Sequence, residues 1–463
     1  MQTLTKLLAA TAIGLTAVSG AQAGGFQRGI ADTDILFESG PYSTRAGVTY
    51  IDPRRGFDSI NGASGDYGTY TGDYLIPSYA LKFGGDQFAC AGHFTESFAA
   101  EANYDGAPGG ALPSFSEPGS TASSRTRSIE FKSNEFGATC RLSYTAEIGR
   151  FSLLGGVYFE DFDFDGSSFG ERNLSGAFAG TPLAGAGLLL AGTGSQLILP
   201  TEVDVNSTGG YETGYRIGVA YERPEIALRV QGLYRSEVKH DSISGGGSVS
   251  VDSAFVRLAD GTQVSVPTFF SNPAFGLSAG QQALIVGGIG QATPAPGAVI
   301  PVESTLSTAI SPQSFTLSGQ TGIAPGTLLL ASLRWTDWST NGTVVSTISS
   351  PITGTSSTIQ PYNWRDGWTA NVGLGRAFNE TVSGAISFGY DRGVSTGSDT
   401  TYTDLYTVTG GVSLRRGFAE LRIGGVVGYW TDGEQSIDDG AYFDATVGDD
   451  WVYGGSASLK LSF

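Results

Sequence analysis

The last thirteen residues constrain the fold more than any other stretch of the chain. From Trp451 to Phe463 every second residue is apolar or glycine, and from Ser456 to Ser462 the intervening positions are serine or lysine. This period of two indicates a strand with one apolar and one polar face. At roughly 3.3 Å per residue and a tilt of about 40°, such a strand spans roughly 30 Å of membrane normal. It is about twice as long as a soluble sandwich strand. The pattern therefore predicts the closing strand of a transmembrane antiparallel β-barrel.

The composition favours the same fold class, an all-β protein. The 463 residues are 40% hydrophobic but contain no apolar run long enough for a membrane-spanning helix. A barrel avoids that requirement because its backbone groups bond between strands. The 69 glycines suit tight turns and closely packed strands. A net charge of −18 argues against nucleic acid as a partner and is typical of a solvated acidic rim.

The first residues resemble an export signal. Lys6 precedes a short apolar core over residues 7–18, and Ala21-Gln22-Ala23 is a small-x-small cleavage site. We expect residues 1–23 to be a signal peptide, the mature chain to begin at Gly24, and the protein to reach the cell outer membrane of a Gram-negative bacterium. Residues 24–43 lack alternation and are predicted either to plug the barrel as a hatch or to form a flexible periplasmic start.

Alternating segments between residues 44 and 463 predict about fourteen strands, an even number that leaves both chain ends in the periplasm. Short turns at residues 84–86, 223–225, 379–380 and 415–417 then lie on the periplasmic side. All six tryptophans fall at the outer ends of their strands, which predicts an outer aromatic girdle.

Two long connections are more apolar than solvent exposure explains. One covers residues 166–210 and contains an apolar run at 183–199; the other covers residues 241–310 and carries Phe269, Phe270 and Phe275. Long irregular segments in compact proteins are usually functional. We interpret these as extracellular loops, and their apolar side chains predict a surface that binds hydrophobic molecules.

The only two cysteines lie on neighbouring predicted strands. Cys90 shares a face with Phe88 and Phe94, and Cys140 shares a face with Phe136 and Leu142. Antiparallel neighbours place both cysteines near the same end, so a disulfide between Cys90 and Cys140 is predicted for the exported protein. Two unpaired buried thiols are the alternative.

Charged side chains alternate along another predicted strand. Arg229, Arg235, Glu237 and Lys239 oppose apolar neighbours. Because charges facing lipid are costly, these residues are predicted to face the lumen, where they either shape a ligand path or form a structural salt-bridged ladder.

Motifs for catalysis and metal binding are weak. Asp161, Asp163 and Asp165 share one face and could hold a divalent ion, although a solvated rim explains them as well. Residues 276–280 (GLSAG) match a nucleophile elbow but lie in a proline-rich loop. With only His93 and His240 as imidazole bases, we expect neither an enzyme nor a cofactor or metal.

Four segments resemble the FadL/TodX family of outer-membrane channels for long-chain fatty acids and aromatic hydrocarbons. They are residues 48–53 (VTYIDP), 234–241 (YRSEVKHD), 311–315 (SPQSF) and 334–339 (RWTDWS). The resemblance implies a barrel of fourteen strands plugged by an N-terminal hatch. It also implies capture of a hydrophobic ligand between the loops at 166–210 and 241–310, and sideways release through a kinked third strand.

The chain departs from the family at three places. Residues 24–43 are shorter than the family's hatch and lack its Asn-Pro-Ala signature. The lateral-gate position reads Ser97-Phe98-Ala99 instead of Asn-Tyr-Gly, and the basic residues that hold a carboxylate are not matched. Of the properties that the resemblance implies, the capture of hydrophobic molecules is therefore easier to assign to this chain than gating through the third strand.

The sequence thus predicts passive uptake of hydrophobic small molecules, with outer-membrane lipid, lipopolysaccharide and the barrel-assembly machinery as partners, the last through the strand ending at Phe463. A general porin for hydrophilic solutes is the main alternative. A role in adhesion or as a phage receptor is a second, and a hydrolase is a third.

Overall fold

The computed structural model describes residues 25–115, 120–340, 343–350 and 354–463. The predicted signal peptide and the residue after its cleavage site lie outside the described residues. The described chain forms one closed antiparallel barrel of fourteen strands, which confirms the predicted fold class. The strands are β1 (Tyr42–Pro53), β2 (Tyr74–Gly84), β3 (Phe88–Asn103), β4 (Ala122–Ala146), β5 (Gly149–Asn173), β6 (Gln196–Arg223), β7 (Leu228–Arg235), β8 (Ser314–Ala324), β9 (Thr327–Thr336), β10 (Gly367–Ala377), β11 (Val382–Arg392), β12 (Leu405–Arg416), β13 (Ala419–Trp430) and β14 (Asp450–Ser462).

The first and last strands close the barrel. β1 pairs with β14 from Ser43↔Ser462 to Pro53↔Val452, and β14 also pairs with β13. Along β2, Tyr79, Leu81 and Phe83 are exposed on the outer face, whereas Ala80 and Lys82 are buried on the inner face. This is the alternation of an apolar outer surface with a lumen that accepts polar groups. No helix in the described parts of the chain is long and apolar enough to cross a membrane.

The two ends of the barrel differ. At one end, here called the turn end, the strands are joined by connections such as residues 85–87, 147–148, 325–326 and 417–418. At the opposite end, the loop end, the connections are long. Among them, residues 236–313 join β7 to β8, and residues 393–404 join β11 to β12.

Strands β4, β5 and β6 continue beyond the barrel at the loop end, where the sheet gains six more strands, four of them long. The four long strands are Ile243–Val251, Val299–Leu306, Thr343–Ser350 and Gly354–Pro361. The predicted loop at residues 166–210 is therefore shorter than expected, because β5 ends at Asn173 and β6 begins at Gln196. The predicted loop at 241–310 likewise contains strands. Apolar residues on these extensions, including Phe164, Val205 and Ile300, pack into a core of their own.

The remaining parts of the two predicted loops form a second apolar cluster. It contains the helices α1 (Ala184–Gly192), α2 (Val266–Phe270) and α3 (Ala279–Ala292), together with the strands Phe255–Arg257 and Gln263–Ser265. Ser278 caps α3 by accepting a hydrogen bond from the amide of Gln281, whose side chain in turn accepts one from the Ser278 amide. This capping box gives Ser278 of the elbow-like motif a structural role.

Shorter elements complete the loop end. They are the strands Ser59–Ile60, Ala63–Ser64, Gly433–Gln435, Ala445–Val447, Val238–His240 and Ala309–Ser311, and the 3-10 turns Ser175–Phe178, Pro273–Phe275, Trp338–Thr340 and Ile437–Asp439. Two further 3-10 turns, Asp34–Phe37 and Pro224–Ile226, lie nearer the turn end.

Cys90 and Cys140 are joined by a disulfide bond. They stand directly opposite each other in the ladder of β3 and β4. The two cysteines therefore lie on the same side of their strands, as predicted, and Phe88 and Leu142 on that face are exposed.

Candidate functional site

The N-terminal segment, residues 25–37, runs inside the barrel. The 3-10 turn Asp34–Phe37 packs Ile35 and Leu36 against Ala80, Ala89 and Leu154 on the inner wall. Ion pairs join Arg45 to Asp32 and Glu38, Lys460 to Glu38, and Arg229 to Asp34. The described segment is therefore anchored both to the first and last strands and to β7, and residues 25–37 lie inside the barrel.

Part of the third strand, β3, forms hydrogen bonds with the N-terminal segment instead of with the second strand, β2. The amides of Arg28 and Gly29 donate to the carbonyl oxygens of Ser97 and Glu96, at 2.9 and 2.8 Å. The amide of Ala99 donates to the carbonyl oxygen of Phe26 at 2.9 Å. The segment thus occupies the hydrogen-bonding edge of β3 on the lumen side.

The barrel wall opens between β2 and β3 at the same height. Their ladder runs from Gly84↔Ala89 to Ser78↔Thr95, and the two chain segments next pair at the isolated bridge Thr71↔Ala102. Residues 74–77 of β2 still pair with β1, and Pro77 has no N–H to offer to another strand. We call the opening between residues 74–77 and residues 96–101 the wall gap.

The gap coincides with an irregularity at the predicted lateral-gate residues. The register of β3 with β4 shifts between Glu96 and Phe98, so Ser97 is an extra residue in β3. Such a bulge bends a strand and increases its twist. Ser97 and Phe98 are buried, and Phe98 bridges to Gln27 of the N-terminal segment. The bend therefore exists without the family's Asn-Tyr-Gly sequence.

An aromatic cage lies beside the gap. Phe26 of the N-terminal segment is surrounded by the rings of Phe131, Trp338, Tyr362, Trp364 and Tyr402, with centroid distances of 4.5 to 6.0 Å. Four of these five pairs are edge-to-face, the arrangement that aromatic quadrupoles favour. The cage is an environment suited to a flat apolar ring, and the protein's own Phe26 occupies it.

The cage borders a cavity of about 180 Å³, here called the upper cavity. Its lining includes Phe26, Tyr74, Ala99, Trp364 and Tyr402, so it reaches both the cage and the wall gap. Aromatic side chains with a few polar groups are the common lining of small-molecule sites.

Two polar groups belong to the upper cavity. Arg28 stacks on the ring of Tyr74 and donates from Nε to the carbonyl oxygen of Ala99 at 2.9 Å. Asp399 is buried and accepts hydrogen bonds from Trp364 Nε1 and from the amide of Thr401. Burial raises the pKa of the Asp399 carboxyl, and these donors, together with Arg55, oppose the shift. Burial also raises the pKa of the phenols of Tyr104 and Tyr362. The cavity therefore disfavours additional charge.

A second cavity of about 270 Å³, the lower cavity, lies on the other side of Arg28. Polar side chains make up most of its lining: hydroxyl and amide groups from several strands, together with charged groups such as Asp32, Arg45 and Arg334. The hydroxyl and amide side chains include Thr316, Ser318, Gln320, Ser332, Thr369, Asn371, Ser387, Thr407, Thr409, Ser456 and Ser458. Ile76 and Thr95 also line it, so both cavities border the wall gap. The lumen thus changes from aromatic to polar across Arg28.

The four predicted lumen charges divide into two pairs. Arg229 bonds to Asp34 of the N-terminal segment, and buried Arg235 bonds to Glu160 and Glu135. Both arginines fit the ladder alternative. Glu237 and Lys239 instead pair with each other in a largely exposed position. The alternation breaks after Arg235, where β7 ends, so that Val238 and His240 take the buried positions. The prediction that Glu237 and Lys239 face the lumen does not fit this arrangement.

The three predicted phenylalanines lie together but are packed. Phe269 and Phe270 are buried in the cluster around α1, α2 and α3, and Phe275 contacts Phe269 at 5.0 Å between centroids. The two predicted capture loops therefore meet. Their exposed apolar surface consists of other residues, above all Leu188 and Leu284 at 74% and 75% exposure.

The acidic run offers no metal centre in the described residues. Asp161 accepts a hydrogen bond from the amide of Asn134 at 2.6 Å, and no group of three or more His, Cys, Asp or Glu side chains in the described ranges is placed to hold an ion.

The prediction that all six tryptophans form an outer aromatic girdle is wrong for three of them. Trp368 and Trp451 are exposed on the outer face, but Trp338, Trp364 and Trp430 are buried inside the loop end. Trp338 and Trp364 lie outside the barrel strands, where the alternation has ended, whereas Trp430 occupies an inward position of the regular alternation of β13. Phe26 and Tyr402 were missed because no periodic pattern marks them.

The fold is similar to that of a FadL homologue and of toluene transporters whose structures are solved. A Pseudomonas aeruginosa FadL homologue has a TM-score of 0.60 and 16% identity, with 97% of this chain and 98% of that chain covered. The Ralstonia pickettii toluene transporter TbuX has a TM-score of 0.54 and 14% identity, with coverage of 97% and 98%. The Pseudomonas putida toluene transporter TodX has a TM-score of 0.55 and 12% identity, with coverage of 93% and 92%. Neither a family model nor a curated protein sequence matches the chain. At these identities the likeness concerns the fold.

Proposed function

We propose that this protein, which has the barrel fold of the FadL homologue and the toluene transporters, is an outer-membrane channel for passive uptake of hydrophobic small molecules. The observation that carries the proposal is the position of Phe26 within five aromatic rings, next to a cavity that borders an opening in the barrel wall. The structures most similar in fold include two toluene transporters. Long-chain fatty acids and aromatic hydrocarbons are the candidate ligands.

Capture is the first step. The loop end faces outward, where Leu188 and Leu284 expose apolar side chains on α1 and α3. Isolated exposed leucines are ordinary, but these two lie on the helices whose other apolar side chains form the buried cluster. A hydrophobic molecule gains free energy by leaving water for this surface, which raises its local concentration above the cage.

Binding and exit follow inside the barrel. A ligand ring that enters the cage competes with Phe26 for the same aromatic edges. The carbonyl oxygen of Phe26 accepts from Ala99, so a displacement that moves the backbone together with the ring also breaks a hydrogen bond that holds the N-terminal segment along β3. The wall gap then offers a route into the hydrocarbon layer, whereas the polar lower cavity does not favour an apolar molecule. Diffusion down a concentration gradient needs neither a cofactor nor covalent chemistry.

The membrane placement belongs to the same proposal. The exposed apolar outer face of residues such as Leu81 and Phe83 suits lipid, and the extended strands at the loop end suit the lipopolysaccharide layer. Residues 1–23 serve export, and the strand ending at Phe463 serves recognition by the barrel-assembly machinery.

Single-channel conductance of the refolded protein in a planar bilayer tests the proposal when it is combined with uptake of labelled toluene and oleate into proteoliposomes. We expect small conductance and saturable uptake of at least one of these ligands. A large, steady current with no uptake of either ligand would reject the hydrophobic channel.

A general porin is the second candidate, and the lower cavity favours it. Its hydroxyl and amide lining suits water and neutral solutes. Swelling of proteoliposomes in arabinose or glycerol measures this activity independently of hydrocarbon uptake.

A further inference from the structure

We propose that Glu160 positions the bulge at Ser97 and thereby keeps the wall gap open. This inference rests on the proposed function, since it assigns a residue that controls exit from the same site.

The contact itself is short and buried. Ser97 Oγ lies 2.9 Å from Glu160 Oε2, and 3.2 Å from the carbonyl oxygen of Ser133. Glu160 is fully buried on β5, Ser133 is fully buried on β4, and Ser97 is 2% exposed. The extra residue of β3 is therefore held from two neighbouring strands, so its side chain is fixed toward the lumen.

Glu160 is in turn held by a network that we call the polar belt, composed of His93, Glu135, Glu160, Arg216, Arg235 and His240. Arg235 donates to Glu160 and lies 3.3 Å from Glu135 Oε2, while Arg216 donates to Glu135. His240 Nε2 lies 3.4 Å from Glu160 Oε1, and His93 Nε2 lies 3.2 Å from Glu135 Oε1. His93 Nε2 also accepts a hydrogen bond from Arg216 at 2.9 Å, so His93 holds the arginine beside Glu135, whereas His240 contacts Glu160 directly.

The strands lose their regular register at the height of the belt. The ladder of β4 with β5 is interrupted between Lys132↔Asp163 and Glu135↔Glu160, and that of β5 with β6 shifts between Glu160 and Phe162. Buried irregular backbone costs free energy unless its N–H and C=O groups form hydrogen bonds with other partners. Here the partners are side chains of the belt and of Asp161, so the bulge at Ser97 belongs to a row of irregularities across several strands.

The consequence concerns the edge of β3. A regular strand would continue to pair with β2 between Ser78↔Thr95 and Thr71↔Ala102 and close the wall. With Ser97 turned toward Glu160, the carbonyl oxygens of Glu96 and Ser97 instead accept from the N-terminal segment. Glu160 therefore determines whether the edge of β3 bonds to β2 or to the N-terminal segment. Glu160 itself is not one of the residues that line the upper cavity.

Variants at Ser97 test the role of Glu160 while leaving Glu160 itself, the partner of buried Arg235, in place. Ser97→Ala removes the hydroxyl, Ser97→Thr keeps it, and Ser133→Ala is the matched control. Ser133 Oγ is buried at the same height and forms no hydrogen bond among the described residues, and the substitution leaves the Ser133 carbonyl in place.

Two measurements on the full-length refolded protein are compared. Hydrogen–deuterium exchange reports on peptides that cover residues 74–77 and 96–101, and stopped-flow fluorescence reports release of bound toluene into lipid vesicles. For Ser97→Ala we expect exchange at 74–77 to slow by at least threefold as β2 gains a partner, and toluene release to slow about tenfold while equilibrium binding stays within twofold. Ser97→Thr and Ser133→Ala should behave as wild type.

The outcomes separate the two proposals. Unchanged exchange and release in Ser97→Ala, or equal changes in Ser133→Ala, would overturn the role of Glu160. Absence of toluene and oleate binding in the wild type would reject the proposed ligands, while the exchange data would still report on the bulge.

Discussion

The amide of Ala99 donates a hydrogen bond to the carbonyl oxygen of Phe26 at 2.9 Å, so the residue that fills the aromatic cage also holds the strand that borders the wall gap. Ligand site and exit are therefore connected through one short segment. Arg28, two residues further on, extends the connection by donating to the carbonyl oxygen of Ala99 while lining both cavities.

Replacing Phe26 by alanine should strengthen binding of toluene by about tenfold or more. Burial of a phenylalanine side chain contributes roughly 1.5–3 kcal/mol, which a ligand must overcome in the wild type, and a cavity lined by apolar side chains stays dry and accepts benzene-sized molecules. Quenching of the fluorescence of Trp338 and Trp364 measures the affinity. Phe269→Ala, which empties a site in the loop cluster, is the control and should leave toluene affinity unchanged. Equal affinity in wild type and Phe26→Ala would contradict the cage assignment.

The barrel itself could be predicted from sequence because strand alternation is a strong local signal. Fourteen strands, the closure by the last strand and the facing of Cys90 toward Cys140 all follow from period two and antiparallel neighbours. Strand ends were less accurate: β5 and β6 continue beyond the expected length because their outer parts pair with strands inside the predicted loops.

The candidate site could not be predicted in the same way. Phe26 lies in a segment without periodicity, and its five ring neighbours come from four separate parts of the chain. The alternation changes after the end of β7, so that Val238 and His240 are buried. The tertiary contact between His240 and Glu160 explains this change. Register breaks of this kind leave no mark in hydrophobic patterning.

Replacing Asp399 by asparagine should change how stability depends on pH. Because burial raises the pKa of this carboxyl in the folded protein, the folded state binds the proton more tightly than the unfolded chain does. Its contribution to the free energy of unfolding is thus fully present below the unfolded pKa of about 4 and is lost as the pH rises through the folded pKa.

The free energy of unfolding of the wild type, minus that of Asp399→Asn, should therefore fall as pH increases from about 4 toward neutrality. Chemical unfolding followed by tryptophan fluorescence at several pH values measures this difference. Asp438→Asn, at an exposed position of the loop end, serves as the control. A difference that rises with pH would show that Arg55 and the hydrogen-bond donors outweigh burial.

Removing the disulfide should lower stability without affecting the cage. Cys90 and Cys140 are separated by 50 residues, and cross-links of this loop size typically contribute about 2–4 kcal/mol to the free energy of unfolding. Urea unfolding of the Cys90→Ser/Cys140→Ser variant measures the loss, and toluene affinity should stay at the wild-type value. A loss below about 0.5 kcal/mol would indicate that the in-register pairing of β3 and β4 already supplies the constraint.

Substituting the two most exposed leucines of the loop cluster should slow uptake without weakening the inner site. Leu188 and Leu284 are 74% and 75% exposed on α1 and α3, and each can offer on the order of 1 kcal/mol of apolar contact to a captured molecule. In the Leu188→Ser/Leu284→Ser variant, uptake of labelled toluene at limiting concentration should fall about fivefold, whereas quenching of the cage tryptophans should give the wild-type affinity. Ile437→Ser, at a position 57% exposed in another connection of the loop end, is the matched control. A fivefold loss in the control as well would assign the effect to general surface polarity, and an unchanged rate in the double variant would place capture elsewhere on the loop end.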